Sequence, residues 1–135
     1  MDNITVKIPV TIKAKLTEKL RKRIVDELNQ NIQNIDYELQ QIDLEEKRVI
    51  QEQAQSDLRQ LQAIRQQFAM EKQQRIAFKE QAQAKLNDTN KLALGAEIVQ
   101  GNLERLAIMK VGDNIRELMN VEVLVEDDKI IAIRS

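Results

Sequence analysis

Cysteine and histidine are absent from this chain of 135 residues. The chain therefore has no disulfides, no thiolate nucleophile and no imidazole acid–base group, and it lacks the usual ligands of zinc and haem sites. Acidic residues cluster at Glu45-Glu46 and at positions 126–128. Adjacent helix residues point in different directions and the second cluster reads as a turn, so both are interpreted as solvated charges. No glycine-rich phosphate loop is present. These absences argue against an enzyme, and no metal or cofactor is predicted.

Aromatic residues make up only 2% of the chain, and all of them lie in its middle: Tyr37, Phe68 and Phe78. A core built from the two chain ends must therefore be aliphatic and small. The formal net charge of −1 argues against a generally basic nucleic-acid-binding protein. The sequence shows no basic leader before an apolar run and no stretch of about 18 apolar residues. We therefore expect a soluble cytoplasmic protein that does not enter a membrane.

Glycine and proline are missing from residues 17–86, which are rich in Gln, Glu, Lys, Arg, Leu and Ile. This composition predicts helix, with Thr17 as its N-cap. Apolar residues recur in this segment at the heptad spacing of a coiled coil, although polar residues interrupt the pattern. The predicted seam consists of Val25, Leu28, Ile32, Ile35, Leu39, Ile42 and Val49, then of Leu61, Ile64, Phe68 and Phe78.

The two halves of this seam differ in phase by one residue. One continuous helix of about 105 Å with a skip residue would explain the shift, and so would a hairpin of two antiparallel helices. The hairpin is favoured because it returns the chain to its starting point, where the two chain ends can pair. Its tip is predicted at residues 53–58, where Ser56 or Asp57 could cap the second helix.

The N-terminal segment alternates apolar and polar residues without exception, which predicts a strand with one buried face. Its apolar positions are Ile4, Val6, Ile8, Val10, Ile12, Ala14 and Leu16. Pro9 cannot donate a backbone hydrogen bond, so we expect it at a sheet edge or a bend. A strand needs partners, and only the C-terminal segment can supply them.

The composition changes after Leu86, where residues 87–90 predict the end of the helix. Strands are predicted at 97–100 and 103–111, joined by a turn at Gly101-Asn102. A turn at 111–114 and a single helical turn at 115–120 follow. The chain then closes with a hairpin whose turn is Asp127-Asp128.

The predicted fold class is α+β. A long antiparallel coiled-coil hairpin is inserted between an N-terminal strand and a C-terminal set of short strands that form a small sheet or a partly open barrel. Residues 1–16 and 90–135 form this β module, and residues 17–89 form the hairpin.

Three short motifs follow the predicted hairpin: Leu-Ala-Leu-Gly-Ala-Glu-Ile at 92–98, Val-Gly-Asp-Asn at 111–114 with Glu117-Leu118, and a final hairpin ending in Ile133-Arg134. Together they resemble the C-terminal pattern of the YlqD-like bacterial proteins, which also place a strand before a long charged coiled coil. The family pattern has Pro at the position of Ala93, Trp at that of Ile115 and Asp-Gly at that of Asp127-Asp128. Because the family is uncharacterised, the resemblance implies a fold and no activity.

Basic residues cluster at the junction of the predicted strand and helix, at Lys13, Lys15, Lys19, Lys22 and Arg23, with Arg21 beside them. A phosphate backbone could dock there, but no aromatic residues are interleaved for base stacking. Binding would therefore be electrostatic. A solvated face that protects the sheet edge is the favoured interpretation.

The leading hypothesis is a non-enzymatic structural or interaction protein that presents helical arms from a small β platform. We expect it to self-associate, with a dimer favoured, and to bind a protein partner that the sequence does not identify. One alternative is an RNA- or ribosome-associated factor that uses the basic cluster. Another is a chaperone clamp like prefoldin, although prefoldin helices carry the chain termini, the reverse of the order here.

Overall fold

The structure, a computed structural model, describes residues 1–53, 55 and 57–135. The chain forms two compact units. The β unit comprises Met1–Lys22 and Leu92–Ser135, and the helical unit comprises Arg23–Lys91. The elements follow one another in the order β1 (Asn3–Lys15), α1 (Glu18–Glu52), α2 (Leu58–Lys91), β2 (Glu97–Lys110), α3 (Ile115–Met119), β3 (Glu122–Glu126) and β4 (Lys129–Arg134).

The β unit contains a four-stranded sheet in the order β2-β1-β3-β4. Strand β1 runs antiparallel to β2 and parallel to β3, and β3 forms an antiparallel hairpin with β4. The predicted α+β class is therefore confirmed. The sheet is open, with β2 and β4 at its edges, so it is the small sheet and not the barrel of the prediction.

The core of the β unit is aliphatic because the alternation of β1 places one set of residues on the covered face. The buried apolar residues of this unit are Ile8, Val10, Ala14, Leu16, Leu20, Ala107 and Leu124. Ile8 and Leu16 retain only 1% of their accessible surface. Burial of such a side chain contributes about 1.5–3 kcal/mol.

Strand β2 is continuous, so the predicted turn at Gly101-Asn102 is wrong. Both residues pair with β1, and the strand runs for 14 residues. The register shifts where Ile12 faces Gly101 and Lys13 faces Val99, which leaves Gln100 as an extra residue in a β-bulge. Gly101 therefore lies beside a bulge within a strand and does not form a turn.

Pro9 lies where β1 has a single neighbouring strand. Thr11 donates its backbone N–H to the Val121 carbonyl at 3.1 Å, so the odd-numbered residues of β1 turn their backbone groups away from β2. Strand β3 pairs only with residues 11–14 of β1. Because Pro9 faces this unpaired side, its missing N–H costs no ladder hydrogen bond.

The turn between β3 and β4 has the left-handed backbone of a tight hairpin turn. Asp127 and Asp128 have φ angles of 46° and 68°, the pattern of a type I′ turn. Thr17 links this turn to α1, because its Oγ1 donates to Asp127 Oδ1 at 2.7 Å and accepts from the Leu20 N–H at 3.1 Å. The predicted N-cap of α1 is therefore confirmed.

The connection from β2 to β3 follows the predicted sequence of turns. Gly112 has a φ of 99°, which favours glycine, and the Asp113 N–H bonds to the Lys110 carbonyl at 3.1 Å. Asn114 caps α3 by accepting from the backbone N–H groups of Arg116 and Glu117. The single helical turn is thus confirmed.

In the helical unit, α1 and α2 form the predicted antiparallel hairpin. Helix α1 ends at Glu52, and α2 begins at Leu58 with a cap in which Asp57 Oδ1 accepts from the Gln60 N–H at 2.9 Å. The predicted tip includes Ala54 and Ser56, which lie outside the described residues. Across the described part of the chain, no helix is long and apolar enough to span a bilayer.

Helix α2 continues to Lys91, so the predicted end at residues 87–90 is wrong. Thr89 lies inside the last turns and donates its hydroxyl hydrogen bond to the Lys85 carbonyl at 2.8 Å. This back-bonding allows a helix to accommodate a residue that would otherwise favour a turn.

Candidate functional site

The apolar stripe of α1 faces α2 but is covered only in part. Its members Val25, Ile32, Ile35, Leu39, Ile42 and Val49 are half-buried. Leu28 is the one apolar side chain classed as buried among the described residues of the helical unit. A pair of helices can cover only one side of each stripe, so each seam residue keeps a free flank.

The stripe of α2 follows the predicted seam only in its first part. Leu61, Ile64 and Phe68 are half-buried, as their α1 counterparts are. Beyond them the half-buried positions include the basic residues Lys72, Arg75 and Lys79 as well as Ala77, Ala82 and Leu86, while Phe78 is 48% exposed. The heptad pattern had assigned Phe78 to the seam.

The helix period explains this difference. An α-helix has 3.6 residues per turn, so a straight helix drifts by about 20° per heptad against a strict 3.5-residue pattern. After Phe68 the inward position moves one residue further along the chain. Lys79 therefore occupies the place that the heptad pattern gave to Phe78, and Lys72 occupies the equivalent place one heptad earlier.

Ion pairs join the two helices at the basic positions. Lys72 Nζ lies 2.6 Å from Asp43 Oδ1 and also contacts Glu46. Lys79 Nζ lies 2.6 Å from Asp36 Oδ1, which is one heptad from Asp43 on the same flank of α1. The long stems of both lysines lie along the seam before their charges reach these carboxylates.

On the opposite flank of the hairpin, Arg75 Nε lies 2.9 Å from Glu38 Oε2. As residue numbers rise along α2, the paired residues fall along α1, as an antiparallel register requires. These pairs are partly exposed, and such pairs typically contribute about 0–1 kcal/mol each. Their main effect is to specify register, since a slipped hairpin would lose all of them.

We call the ion pairs that Lys72, Arg75 and Lys79 make with α1 the ion-pair ladder. At Lys72 and Asp43 the electrostatics favour the charged forms. The hydrogen bond from Lys72 holds the pKa of the Asp43 carboxyl below its ordinary value. The hydrogen bonds to Asp43 and then to Glu46 raise the pKa of Lys72 above its ordinary value. Both groups are charged at neutral pH, so the Lys72–Asp43 pair is formed there.

A groove of about 590 Å³ runs along the Arg75 flank of the hairpin. Its apolar wall is formed by Ile35, Phe78 and Ala82, and its polar rim by Asn31, Asn34, Glu38 and Arg75. Apolar walls with a polar rim are typical of a surface that accepts side chains of another helix. We call this feature the hairpin groove.

The basic cluster predicted from the sequence is partly engaged in ion pairs. Lys13 Nζ lies 2.8 Å from Glu122 Oε1, and Glu122 also accepts from Arg134 at 2.8 Å. Arg134 in turn binds Glu97, which faces Lys15 across the β1–β2 pair. The hydrogen bond from Lys13 lowers the pKa of the Glu122 carboxyl.

The remaining members of the basic cluster are divided between the two units. Lys19 and Lys22 are exposed on α1 in the β unit, and Arg23 is exposed in the helical unit. Arg21 bonds to the Leu92 carbonyl. Nucleic-acid binding by this cluster stays a prediction.

The acidic residues singled out in the sequence are used in ordinary contacts. Glu45 pairs with Arg48 on its own helix, Glu46 with Lys72, and Asp127 with Thr17. Across the described residues, no cluster of acidic side chains could hold a metal ion.

The ion-pair ladder was not predicted from the sequence. Its visible signal was the heptad-like spacing of acidic residues on α1 and of basic residues on α2.

Comparisons with known proteins relate the chain to a family. The profile of the YlqD protein family matches residues 4–134. The chain belongs to the YlqD family. This YlqD protein is also similar to the crystal structure of a protein of unknown function from Synechococcus sp. WH 8102, at 29% sequence identity and a TM-score of 0.91, with both chains covered in full. No curated protein matches the chain.

Proposed function

We propose that this YlqD protein is a non-enzymatic interaction protein that self-associates through its helical hairpin. The observation that supports it is the incomplete seam, in which the α1 stripe is half-buried and Phe78 is 48% exposed beside the hairpin groove. A large aromatic side chain left half in water is a typical anchor for a protein contact.

The proposed occupant of the hairpin groove is α1 of a second copy. Tyr37 and Leu44 are exposed on the face of α1 opposite the seam and lie one heptad apart. Residues at this spacing share one side of a helix, so both can enter one groove. The asparagines and the Arg75–Glu38 pair of the rim can remain solvated around them.

Phe78→Glu tests this proposal in the intact protein. The matched control is Gln73→Glu, which adds the same charge on the face of α2 away from the hairpin groove. Sedimentation velocity across the micromolar range should show self-association of the wild type and the control. We expect Phe78→Glu to raise the dissociation constant of this contact at least about tenfold, because one buried aromatic anchor contributes more than about 1.4 kcal/mol.

The same experiment contains the outcomes that contradict the proposal. A wild-type protein that stays monomeric throughout the range would overturn it. An equal loss of association in both variants would show that added charge, and not the hairpin groove, is responsible. Far-UV circular dichroism checks that helix content is unchanged in each variant.

A further inference from the structure

We infer that the free edge of β2 pairs with the same edge of a second copy, forming one continuous sheet about a two-fold axis at Ala107. This interface is distinct from the hairpin groove and does not depend on it. Strand β2 is at the edge of the sheet and runs for 14 residues. Long edge strands that expose apolar residues are templates for pairing with another chain.

The backbone groups available on this edge follow from the alternation of the β1–β2 ladder. Because Thr11 turns its N–H toward β3, the even-numbered residues of β1 bond to β2. Their partners on β2 are Leu103, Arg105, Ala107 and Met109. The residues between them, Glu104, Leu106 and Ile108, therefore direct their N–H and C=O groups outward to the free edge.

Two exposed side chains of this edge are apolar, whereas the edge strands of soluble proteins usually carry charged side chains at such positions. Leu106 is 69% exposed and Ile108 is 62% exposed, and both lie on the face of the sheet that carries Thr5 and Lys7. No proline interrupts β2, and its bulge lies well before this stretch. The usual protections of an edge are thus missing here.

One register satisfies both the apolar and the charged residues of two such edges. With Ala107 opposite its own copy, Leu106 faces Ile108 of the second copy, and Ile108 faces its Leu106. At either end of this apolar group, Glu104 then faces Lys110 of the second copy. On the face of Leu106 and Ile108 the opposed pairs are thus apolar with apolar and acid with base, as stable cross-strand pairs require, while on the other face Arg105 meets Met109 of the second copy.

Neighbouring registers are worse. A shift that places Leu106 on the axis sets Ile108 opposite Glu104. A shift that places Arg105 on the axis sets two arginines opposite each other, and one centred on Glu104 does the same with two carboxylates. Like charges opposed in this way are destabilising. Intermediate shifts would place the two sheets with opposite faces up.

The proposed pairing between the two β2 strands ends before Lys110, because the backbone of Lys110 bonds within the turn that follows. Lys110 uses its own N–H to reach Asp113 Oδ2 at 3.0 Å and its carbonyl to accept from the Asp113 N–H. Its backbone is therefore committed to the turn, and only its side chain is available to Glu104 of the second copy. The backbone pairing is centred on Leu106 and Ile108, each pair exchanging both N–H···O bonds.

Cysteine cross-linking tests this register directly, because the chain has no native cysteine. Ala107 on the axis would form a non-hydrogen-bonded pair with its copy, with Cα atoms about 4.5 Å apart, a separation that a disulfide can span. Under mild oxidation, Ala107→Cys should form a covalent dimer at least about tenfold faster than Thr5→Cys. Thr5 is the control, since it lies on β1 opposite Ile108 and not on the free edge of β2.

A charge exchange provides a second test that does not rely on oxidation. Glu104→Lys should weaken the β2 dimer at least about tenfold in sedimentation experiments, because it opposes Lys110 of the second copy. Adding Lys110→Glu should restore the wild-type dissociation constant. Measured in the Phe78→Glu background, both tests report on the β2 edge alone, so failure of this interface is distinguishable from failure of the hairpin groove.

Two results would overturn the inference. One is an Ala107→Cys chain that remains monomeric, or cross-links no faster than Thr5→Cys. The other is a double variant, Glu104→Lys with Lys110→Glu, that associates no better than Glu104→Lys alone while its circular dichroism spectrum matches the wild type.

Discussion

The β unit and the helical unit solve the problem of burial differently. In the β unit, the strict alternation of apolar and polar residues in β1 places the apolar ones on one face of the sheet. Ile8 and Leu16 are almost fully removed from water. In the helical unit, the apolar stripe of α1 is covered only on one side, and the middle of the hairpin is joined by ion pairs. Burial therefore stabilises the first unit, while charge register specifies the second.

The largest expected effect comes from removing a core side chain of the β unit, and a half-buried side chain of the helical unit gives the comparison. Ile8→Ala leaves a cavity in the β unit and should cost about 2–5 kcal/mol. Ile35→Ala removes a half-buried side chain from the helical unit and should cost roughly 1 kcal/mol. Urea unfolding followed by hydrogen exchange in each unit measures the two values. Equal costs would break the contrast between the units.

The next effect concerns Thr17, which belongs to the β unit but begins α1. Thr17→Ala removes both the cap on the Leu20 N–H and the hydrogen bond to Asp127. We expect a loss of about 1–2 kcal/mol. Thr17→Ser keeps the hydroxyl and is the control, which should stay close to the wild type in urea unfolding. If the serine variant loses as much as the alanine variant, the hydroxyl contacts are not the cause.

A smaller effect of opposite sign is expected in the β3–β4 turn. Asp128 has a φ of 68°, a backbone conformation that is strained for a residue with a Cβ atom and that favours glycine. Asp128→Gly should therefore raise the free energy of unfolding by roughly 0.5–1 kcal/mol. Asp127→Gly also relieves a positive φ, but the loss of the bond from Thr17 offsets part of its gain. Thermal unfolding of each variant beside the wild type measures the change, and a lower midpoint for Asp128→Gly than for the wild type would contradict the prediction.

The smallest effect is a pH dependence confined to the helical unit's ladder. The pKa of Asp43 is lowered in the folded chain, so its pairing with Lys72 stabilises the hairpin above the ordinary carboxyl range. This contribution is lost as the pH falls through the lowered pKa. Asp43→Asn should therefore make the helix content measured by circular dichroism depend less on pH in the acid range. An unchanged pH dependence in this range would show that Asp43 does not contribute to it.

Most of the fold followed from the sequence because its patterns are local. The alternation of β1, the helix from Glu18 and the Asp127-Asp128 turn depend on residues that are neighbours in the chain, whereas the hairpin followed from the need of the two chain ends to pair. The predicted break at Gly101-Asn102 failed because the length of β2 is set by its partner β1, which offers pairing along its whole length. Helix α2 passed through residues 87–90 because Thr89 satisfies its hydroxyl within the helix.

The site was less visible in the sequence because it depends on rotation of one helix against another. The heptad pattern identified the α1 stripe, and also Leu61, Ile64 and Phe68, as residues that face the partner helix. Beyond Phe68 the slow drift of the helix exchanges Phe78 for Lys79. A fixed seven-residue pattern does not account for that drift, and so the ion pairs between the helices and the hairpin groove are visible only in the folded structure.

The bulge at Gln100 has a consequence for how this strand tolerates changes in length. Because Gln100 is the extra residue, loss of one position there would be absorbed by regular pairing. Loss of one position between Gly101 and Arg105 would instead turn every following side chain to the opposite face, burying Leu106 and Ile108 and exposing Ala107. Among related chains, insertions and deletions in β2 should therefore concentrate at the bulge and spare the stretch that follows it.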